Sequence, residues 1–409
     1  MITLIIVLFS QQAQDPKVRE LEEKLRKLEE RVQELEEKPA PAPPPQPQSP
    51  GLLNPAITVF LNGAGRIDSE RVVNAPGDVF IDDRPFVRTV EADFKAAIDP
   101  YAEGTVVLAL ESEAGEEWAM ELEEGYALIK RLPILEEAPL GMKLKLGRFR
   151  APIGQDNLIH MHDVPWTTRP LPIAKYLGTE QGEFFECGWN PTGGEVDFFL
   201  PELSESLALE ARGGVVRAGE TALTEDMDPR QPGFYGRINA FAELDRSLTA
   251  NLGLSALHEG GGRATTLCAL DWMVKWRTPE RGTYTSLILG GEAFYADRER
   301  YVDDDGDGTF DRETLETPFG YFVYAQFQLD WHWYFGARMD WAEEPDDDRI
   351  ETRVFAAYVT YYTSEFLRFR VGFEHRDSDI DAQDEVNSVF FEINFVIGSH
   401  PVEPYWVSR

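Results

Sequence analysis

The sequence is short of cysteine: Cys187 and Cys268 lie far apart with no CxxC spacing. That excludes a disulfide scaffold and a cysteine metal framework. It is also short of positive charge, with 39 Lys and Arg against 73 Asp and Glu and a formal net charge of −34. A chain without a basic footprint is not built for nucleic acid. The acidity reads either as strongly solvated loops or as a preference for cations as company. After its first residues the chain has no apolar run near the ~20 residues that a membrane helix needs. If it crosses a membrane, it does so as strands. No GxSxG elbow, phosphate-cradling Gly loop or metalloprotease helix occurs, so no enzyme is expected.

What is present begins with an apolar run, Met1-Ile2-Thr3-Leu4-Ile5-Ile6-Val7-Leu8-Phe9, followed by Ser10-Gln11-Gln12-Ala13. This reads as a signal peptide over 1–14, cleaved near Ala13, although no Lys or Arg precedes the run. Residues 15–38 carry a seven-residue seam, with Val18, Leu25 and Val32 at a and Leu21, Leu28 and Leu35 at d. Such a seam predicts a short coiled-coil helix of two or three strands, marginal in isolation; a solitary charged helix is the alternative. The proline-rich linker that follows, 39–53, predicts an extended spacer.

From residue 54 to 409 the texture changes to alternating runs broken by turn residues. Leu367-Arg368-Phe369-Arg370-Val371-Gly372-Phe373-Glu374 alternates without a slip, and Val389, Phe391, Ile393, Phe395 and Ile397 share one face of the next run. A period of two means strand. Further strands are predicted at 56–63, 89–98, 105–113, 117–130, 142–149, 183–189, 207–216, 234–244, 248–257, 267–276, 283–295, 319–330, 333–341 and 353–362. One face of the alternating runs is oily and the other carries Arg, Glu, Asn and Gln. In a soluble sandwich the oily face meets a second sheet; in an outer-membrane barrel it meets lipid, with the charged face toward an aqueous lumen. Rings gather near strand ends, as at Trp331, Trp333, Tyr334 and Phe335, then Tyr358, Tyr361 and Tyr362. Amphipathic rings of this kind belong at a membrane–water boundary. The combination predicts an all-β fold: a closed antiparallel transmembrane β-barrel of about 16 strands, which leaves no strand edge in lipid.

Three motifs bear on function. Asp303-Asp304-Asp305-Gly306-Asp307-Gly308-Thr309-Phe310-Asp311 matches the first nine positions of a calcium loop. Asp303, Asp305, Asp307, Thr309 and Asp311 would supply oxygens to Ca2+, while Thr314 stands where a bidentate Glu is expected. A solvated acidic hairpin tip is the alternative. His160-Met161-His162-Asp163 brings two imidazoles and a carboxylate together, but a transition-metal site needs three or four converging ligands. Nothing nearby in sequence supplies the rest, which favours a polar loop folding into the lumen. Arg148, Arg150, Arg368 and Arg370 lie on or near the wet face. With His160, His162, Asp163 and Glu374 they are the candidate pore-lining residues: in a pore such groups set which ions pass, whereas otherwise they pair with acids such as Glu374.

These residues also carry a resemblance. Gly147-Arg148-Phe149-Arg150-Ala151-Pro152-Ile153-Gly154, Asn157, His160-Met161-His162-Asp163 and Arg169-Pro170-Leu171-Pro172 resemble the central signature of bacterial outer-membrane porin-like proteins. The likeness is to the phosphate-selective porin O and P type and the zinc-regulated outer-membrane group. Asn54-Pro55-Ala56-Ile57-Thr58-Val59 looks like that group's first strand. Ser364-Glu365-Phe366-Leu367-Arg368 and the run Phe391–His400 look like its last two. The resemblance implies a bacterial outer-membrane barrel, homo-oligomeric with a trimer among the options, passing ions or small polar solutes, with its N-terminal helix in the periplasm. Two other readings remain open: a non-conducting barrel serving as envelope anchor or adhesin, and a soluble calcium-binding β-protein.

Overall fold

The computed structural model describes residues 24, 26–27, 55–70, 85–112, 118–132, 138–178, 188–200, 204–224, 227–260, 263–280, 284–302, 312–380, 384–398 and 404–407. The chain divides into two units, Met1–Leu53 and Asn54–Arg409. In the first, Lys24, Arg26 and Lys27 are helical and exposed. The signal peptide, the proline-rich linker and the rest of the expected coiled coil lie outside the described residues.

The second unit is a meander of antiparallel strands. It runs β1 (Ala56–Asp68), β2 (Pro85–Asp99), β3 (Ala102–Ser112), β4 (Trp118–Ile129), β5 (Lys143–Arg148), β6 (Thr192–Phe199), β7 (Leu207–Arg217), β8 (Pro232–Glu243) and β9 (Leu248–Gly260). It continues with β10 (Ala264–Arg277), β11 (Ser286–Val302), β12 (Arg312–Glu316), β13 (Phe319–Gln328), β14 (Trp333–Glu344), β15 (Asp347–Ser364), β16 (Leu367–Ser378) and β17 (Val386–Gly398). Each strand pairs with the next, except that β12 and β13 do not pair with each other, and β1 pairs with β17 from Thr58↔Gly398 to Asp68↔Ser388, which closes the sheet on itself. β12 and β13 both pair with β11 and continue one another across Thr317-Pro318, so sixteen strands encircle the lumen. Proline cannot donate to the ladder, hence the break; its carbonyl still accepts from Ala296 N at 3.0 Å.

Sequence alternation maps onto the two faces of this wall. On β16, Phe369, Val371 and Phe373 are exposed on the outside, while Arg368, Arg370 and Glu374 are buried inside. On β17, Phe391, Ile393 and Ile397 face out and Glu392 and Asn394 face in. No second sheet covers the oily side among the described residues; the exposed Leu, Ile, Val and Phe form a continuous outer belt, far larger than a water-soluble monomer leaves bare. Rings flank the belt. Trp333 contacts Tyr361 at 4.7 Å near one end of β14, and Trp341 stacks on Tyr321 at 5.8 Å toward the other. At ~3.3 Å per residue the two Trp are about 26 Å apart along the strand. At a strand tilt of ~40° that is about 20 Å along the membrane normal, which falls within the ~25 Å apolar band of outer-membrane barrels. Val371→Arg is therefore expected to cost up to about 2–4 kcal/mol of folding stability in lipid. Urea titration of vesicle-inserted protein measures it, and an unchanged midpoint contradicts a lipid-facing position.

Three turns at the rim that carries both ends of the meander share one device. Asp245 Oδ1 accepts from Ser247 N at 2.6 Å, Asp330 Oδ1 from His332 N at 2.8 Å, and Asp99 Oδ1 from Tyr101 N at 2.7 Å. A short acidic side chain bonding two residues ahead closes the chain reversal locally.

Of the strand expected at 183–189 only Gly188 and Trp189 are described, and neither is strand; 183–187 lie outside the described residues, and β6 follows. Its Gly193-Gly194 pair hides the alternation. The pair also lets the neighbouring strand approach, since a Cβ on Gly193 would stand 2.2 Å from Val215 O.

Candidate functional site: a loop clasped inside the barrel

The long connection between β5 and β6, 149–191, enters the lumen as far as it is described. Its apolar residues decide where it lies. Phe149, Ile153, Trp166, Leu171, Ile173, Tyr176 and Trp189 are buried against the inward faces of β7–β15, where Tyr235, Leu257, Phe294 and Phe322 replace the expected polar residues. The wet inner face is therefore only part of the circumference; the remainder is a packed core inside the barrel.

Polar side chains set the loop's shape. Asn157 ties its two legs together, donating through Nδ2 to Ala151 O at 2.8 Å and to Trp189 O at 3.1 Å. Its Oδ1 accepts from Trp189 N at 2.7 Å. Arg169 Nη1 donates to Asp156 Oδ2 at 2.7 Å and closes the turn between them. Gly154 has φ +69°, and a Cβ there would stand 2.1 Å from Glu292 Oε2. Only glycine takes that conformation without strain. It brings the N–H groups of Gln155 and Asp156 to Glu292 Oε1 at 2.9 and 2.7 Å. Leu171–Tyr176 forms a short helix, α1, that docks on β14 through Tyr176 Oη donating to Glu343 O at 3.1 Å.

The wall then grips the loop with four arginines. Arg88 Nη1 donates to Thr167 O at 2.7 Å, Arg338 Nη1 to Thr168 O at 2.6 Å, Arg370 Nη2 to Val164 O at 2.8 Å, and Arg368 Nη2 to His162 O. Arg370 also donates to Trp166 O, and to Glu392 Oε2 at 2.9 Å. A guanidinium presents several donors in a fixed fork, which lets one side chain hold both a carboxylate and a run of carbonyls. Of the expected pore-lining residues, Arg368 and Arg370 are thus buried beneath the loop, partnered by Glu392. Glu374 instead lies 3.6 Å from Arg338 and accepts from Thr168 Oγ1. Arg150 pairs with Glu123 at 3.2 Å. Arg148 is half-buried at the end of β5, and its Nε lacks a hydrogen-bond partner. Asp163 is partly exposed, while its carbonyl accepts from Trp406 Nε1 at 2.7 Å.

His160 and His162 converge with Glu91 of β2 and with Glu123 and Glu124 of β4. Glu91 Oε2 is 3.3 Å from Nδ1 of each histidine, and His160 Nε2 is 2.9 Å from Glu124 Oε1. His162 also stacks on Phe60 at 3.8 Å. Burial by itself pushes both imidazoles down; the Glu91 carboxylate more than offsets this, holding His160 well above and His162 above the usual range. Sequence reasoning missed Glu91 and Glu123 as companions of the histidines. The one available signal was their inward position on strands, since sequence separation conceals the meeting.

A second segment comes in from the opposite rim. Residues 404–407 fold back into the lumen, where Trp406 is fully buried, edge-on to Tyr334 at 5.2 Å and beneath the Asp163 carbonyl. Lys275 Nζ donates to Tyr405 O at 2.7 Å. Asp303, Asp305, Asp307, Thr309 and Asp311 of the acidic motif lie outside the described residues, between β11 and β12.

A closed sixteen-strand barrel with an apolar belt and an inward loop has the architecture of a bacterial outer-membrane porin. Solved structures similar to this chain agree. They include the anion-selective porin from Comamonas acidovorans, at 11% identity and TM-score 0.52, covering 84% of this chain and 99% of that one. The outer membrane channel DcaP of Acinetobacter baumannii matches at 10% and 0.52, over 84% and 97% of the two chains. Salmonella typhi OmpF in complex with daunomycin matches at 10% and 0.50, over 83% and 97%. At these identities the likeness is one of fold. By sequence alone, neither a scan against protein-family models nor a search of curated proteins finds a match.

Proposed function

We propose that the chain is an outer-membrane channel of the porin kind, in which ions and small polar solutes pass a constriction formed by the inward loop. The observation that carries this reading is the wall itself, oily outside and charged inside, with the loop pinned across the lumen. The net charge of −34 makes cations the favoured passengers, because a negative field raises their local concentration. Phosphate selectivity finds less support: Arg88, Arg338, Arg368 and Arg370 hold backbone carbonyls and do not form an open basic ladder. No catalytic step belongs to this reading. The seam at 15–38 serves as an oligomerisation stub on the periplasmic side, compatible with a trimer, and the 303–311 motif binds Ca2+.

Planar-bilayer recording of the purified protein tests it. Discrete steps whose reversal potential shifts toward the cation equilibrium under a salt gradient are expected; a silent bilayer rejects the channel. A silent barrel would instead favour the envelope anchor, for which the packed core in the lumen is the supporting observation.

A further inference from the structure

Among the described residues, one set of metal-capable side chains converges, Glu91, His160 and His162, with a donor atom from each lying within 4.8 Å of the others. The Glu91–imidazole spacings are those of a coordination shell. Four ligands at zinc-like bond lengths of ~2.05 Å on a tetrahedron stand about 3.3 Å from one another. Glu91 Oε2 is 3.3 Å from each histidine Nδ1. Glu123 Oε2 is 3.1 Å from His160 Nδ1 but is held by Arg150 at 3.2 Å, beside the converging set.

The outer contacts agree. His160 Nε2 meets Glu124 Oε1 at 2.9 Å and His162 Nε2 lies 3.5 Å from Asp163 Oδ2. Metal-bound histidines characteristically give their second N–H to a carboxylate, which turns the other nitrogen's lone pair toward the ion. Here that other nitrogen is Nδ1 in both rings, and neither Nδ1 has a hydrogen-bond partner; nor has Glu91 Oε1. Glu91 and His162 are almost wholly buried, so these atoms have no water to face, whereas His160 is partly exposed and leaves an entry path.

We propose that Glu91, His160 and His162 bind one divalent ion of the borderline transition-metal class, such as Zn2+ or Co2+, inside the barrel, with one position left open. Two imidazoles with carboxylates select this class over Mg2+ and Ca2+, which prefer oxygen alone. The site ties β2 and β4 to the inward loop, and it does not require that the barrel conduct.

The test uses the full-length protein in detergent, stripped with a chelator and held in excess Ca2+ to saturate acidic oxygen sites. Calorimetric titration with Zn2+ is expected to show one ion per chain. In His160→Gln and in His162→Gln affinity falls further than the roughly 10–100-fold expected for Glu124→Gln, which removes only an outer partner. Heat-dependent gel migration reports whether each variant is folded. Should either variant not fold, Cu2+ bound to the unaltered chain answers instead: electron paramagnetic resonance shows coupling to two imidazole nitrogens. Absence of stoichiometric Zn2+ binding, unchanged affinity in the folded histidine variants, or an oxygen-only Cu2+ spectrum each overturns the site.

Discussion

Arg370→Ala is expected to widen the conducting path and to lower barrel stability by about 3–5 kcal/mol, the cost of breaking one side of a buried ion pair. The side chain is fully enclosed and serves four acceptors at once: Thr360 Oγ1 at 3.0 Å, Glu392 Oε2 at 2.9 Å, Val164 O at 2.8 Å, and Trp166 O. Truncation leaves Glu392 with less compensation in a site closed to water. It also takes the donors from two carbonyls at the middle of the inward loop. An unsatisfied buried polar group is costly, so the loop is expected to leave the wall in search of water. Larger single-channel steps and a lower urea midpoint should appear together. Arg370→Lys, which keeps the charge and loses the fork, should fall between. If Arg370→Ala kept both conductance and midpoint, the clasp would not be what holds the loop.

Much of the wall was legible in the sequence, for a physical reason. Where one face meets hydrocarbon and the other meets charge, every second residue is constrained, as in Leu367–Ser378. The reading weakened where that contrast fails. β6 carries Gly193-Gly194 in place of a patterned face, and Tyr235, Leu257, Phe294 and Phe322 put apolar residues inside, where they pack on the loop. α1 has only six residues, too few to show a helical period. The histidine pair was visible, but its chemistry depends on Glu91 and Glu123, which strand register alone brings to the same place. Arg368 and Arg370 were visible too. Their partner is Glu392 on the adjacent strand, where Arg370 stands opposite Glu392 in the register. That neighbour could be named only once the pairing of β16 with β17 was known.

Trp406→Ala is expected to free the returning segment and open the lumen from the turn-lined rim. The indole is enclosed by Tyr334 at 5.2 Å and Tyr362 at 5.8 Å, with the guanidiniums of Arg368 and Arg370 at 5.7 and 6.0 Å from its ring. Removing a buried Trp side chain costs about 3–5 kcal/mol of local packing, and contacts to cations add to that loss. Among the described residues the rest of the segment is held by Lys275 Nζ donating to Tyr405 O, by Tyr405 Oη donating to Tyr324 Oη at 3.2 Å, and by Val407 in the same buried cluster. Release should show as larger single-channel steps and as faster trimming of the chain end by carboxypeptidase. Trp406→Phe separates two causes: it retains most of the ring packing but removes the N–H that donates to Asp163 O at 2.7 Å. If packing dominates, Trp406→Phe stays near the parent in both measurements. If the bond to the loop dominates, it behaves like the alanine variant. Equal conductance in all three proteins would mean that solutes pass the segment by another route, and that Trp406 closes nothing.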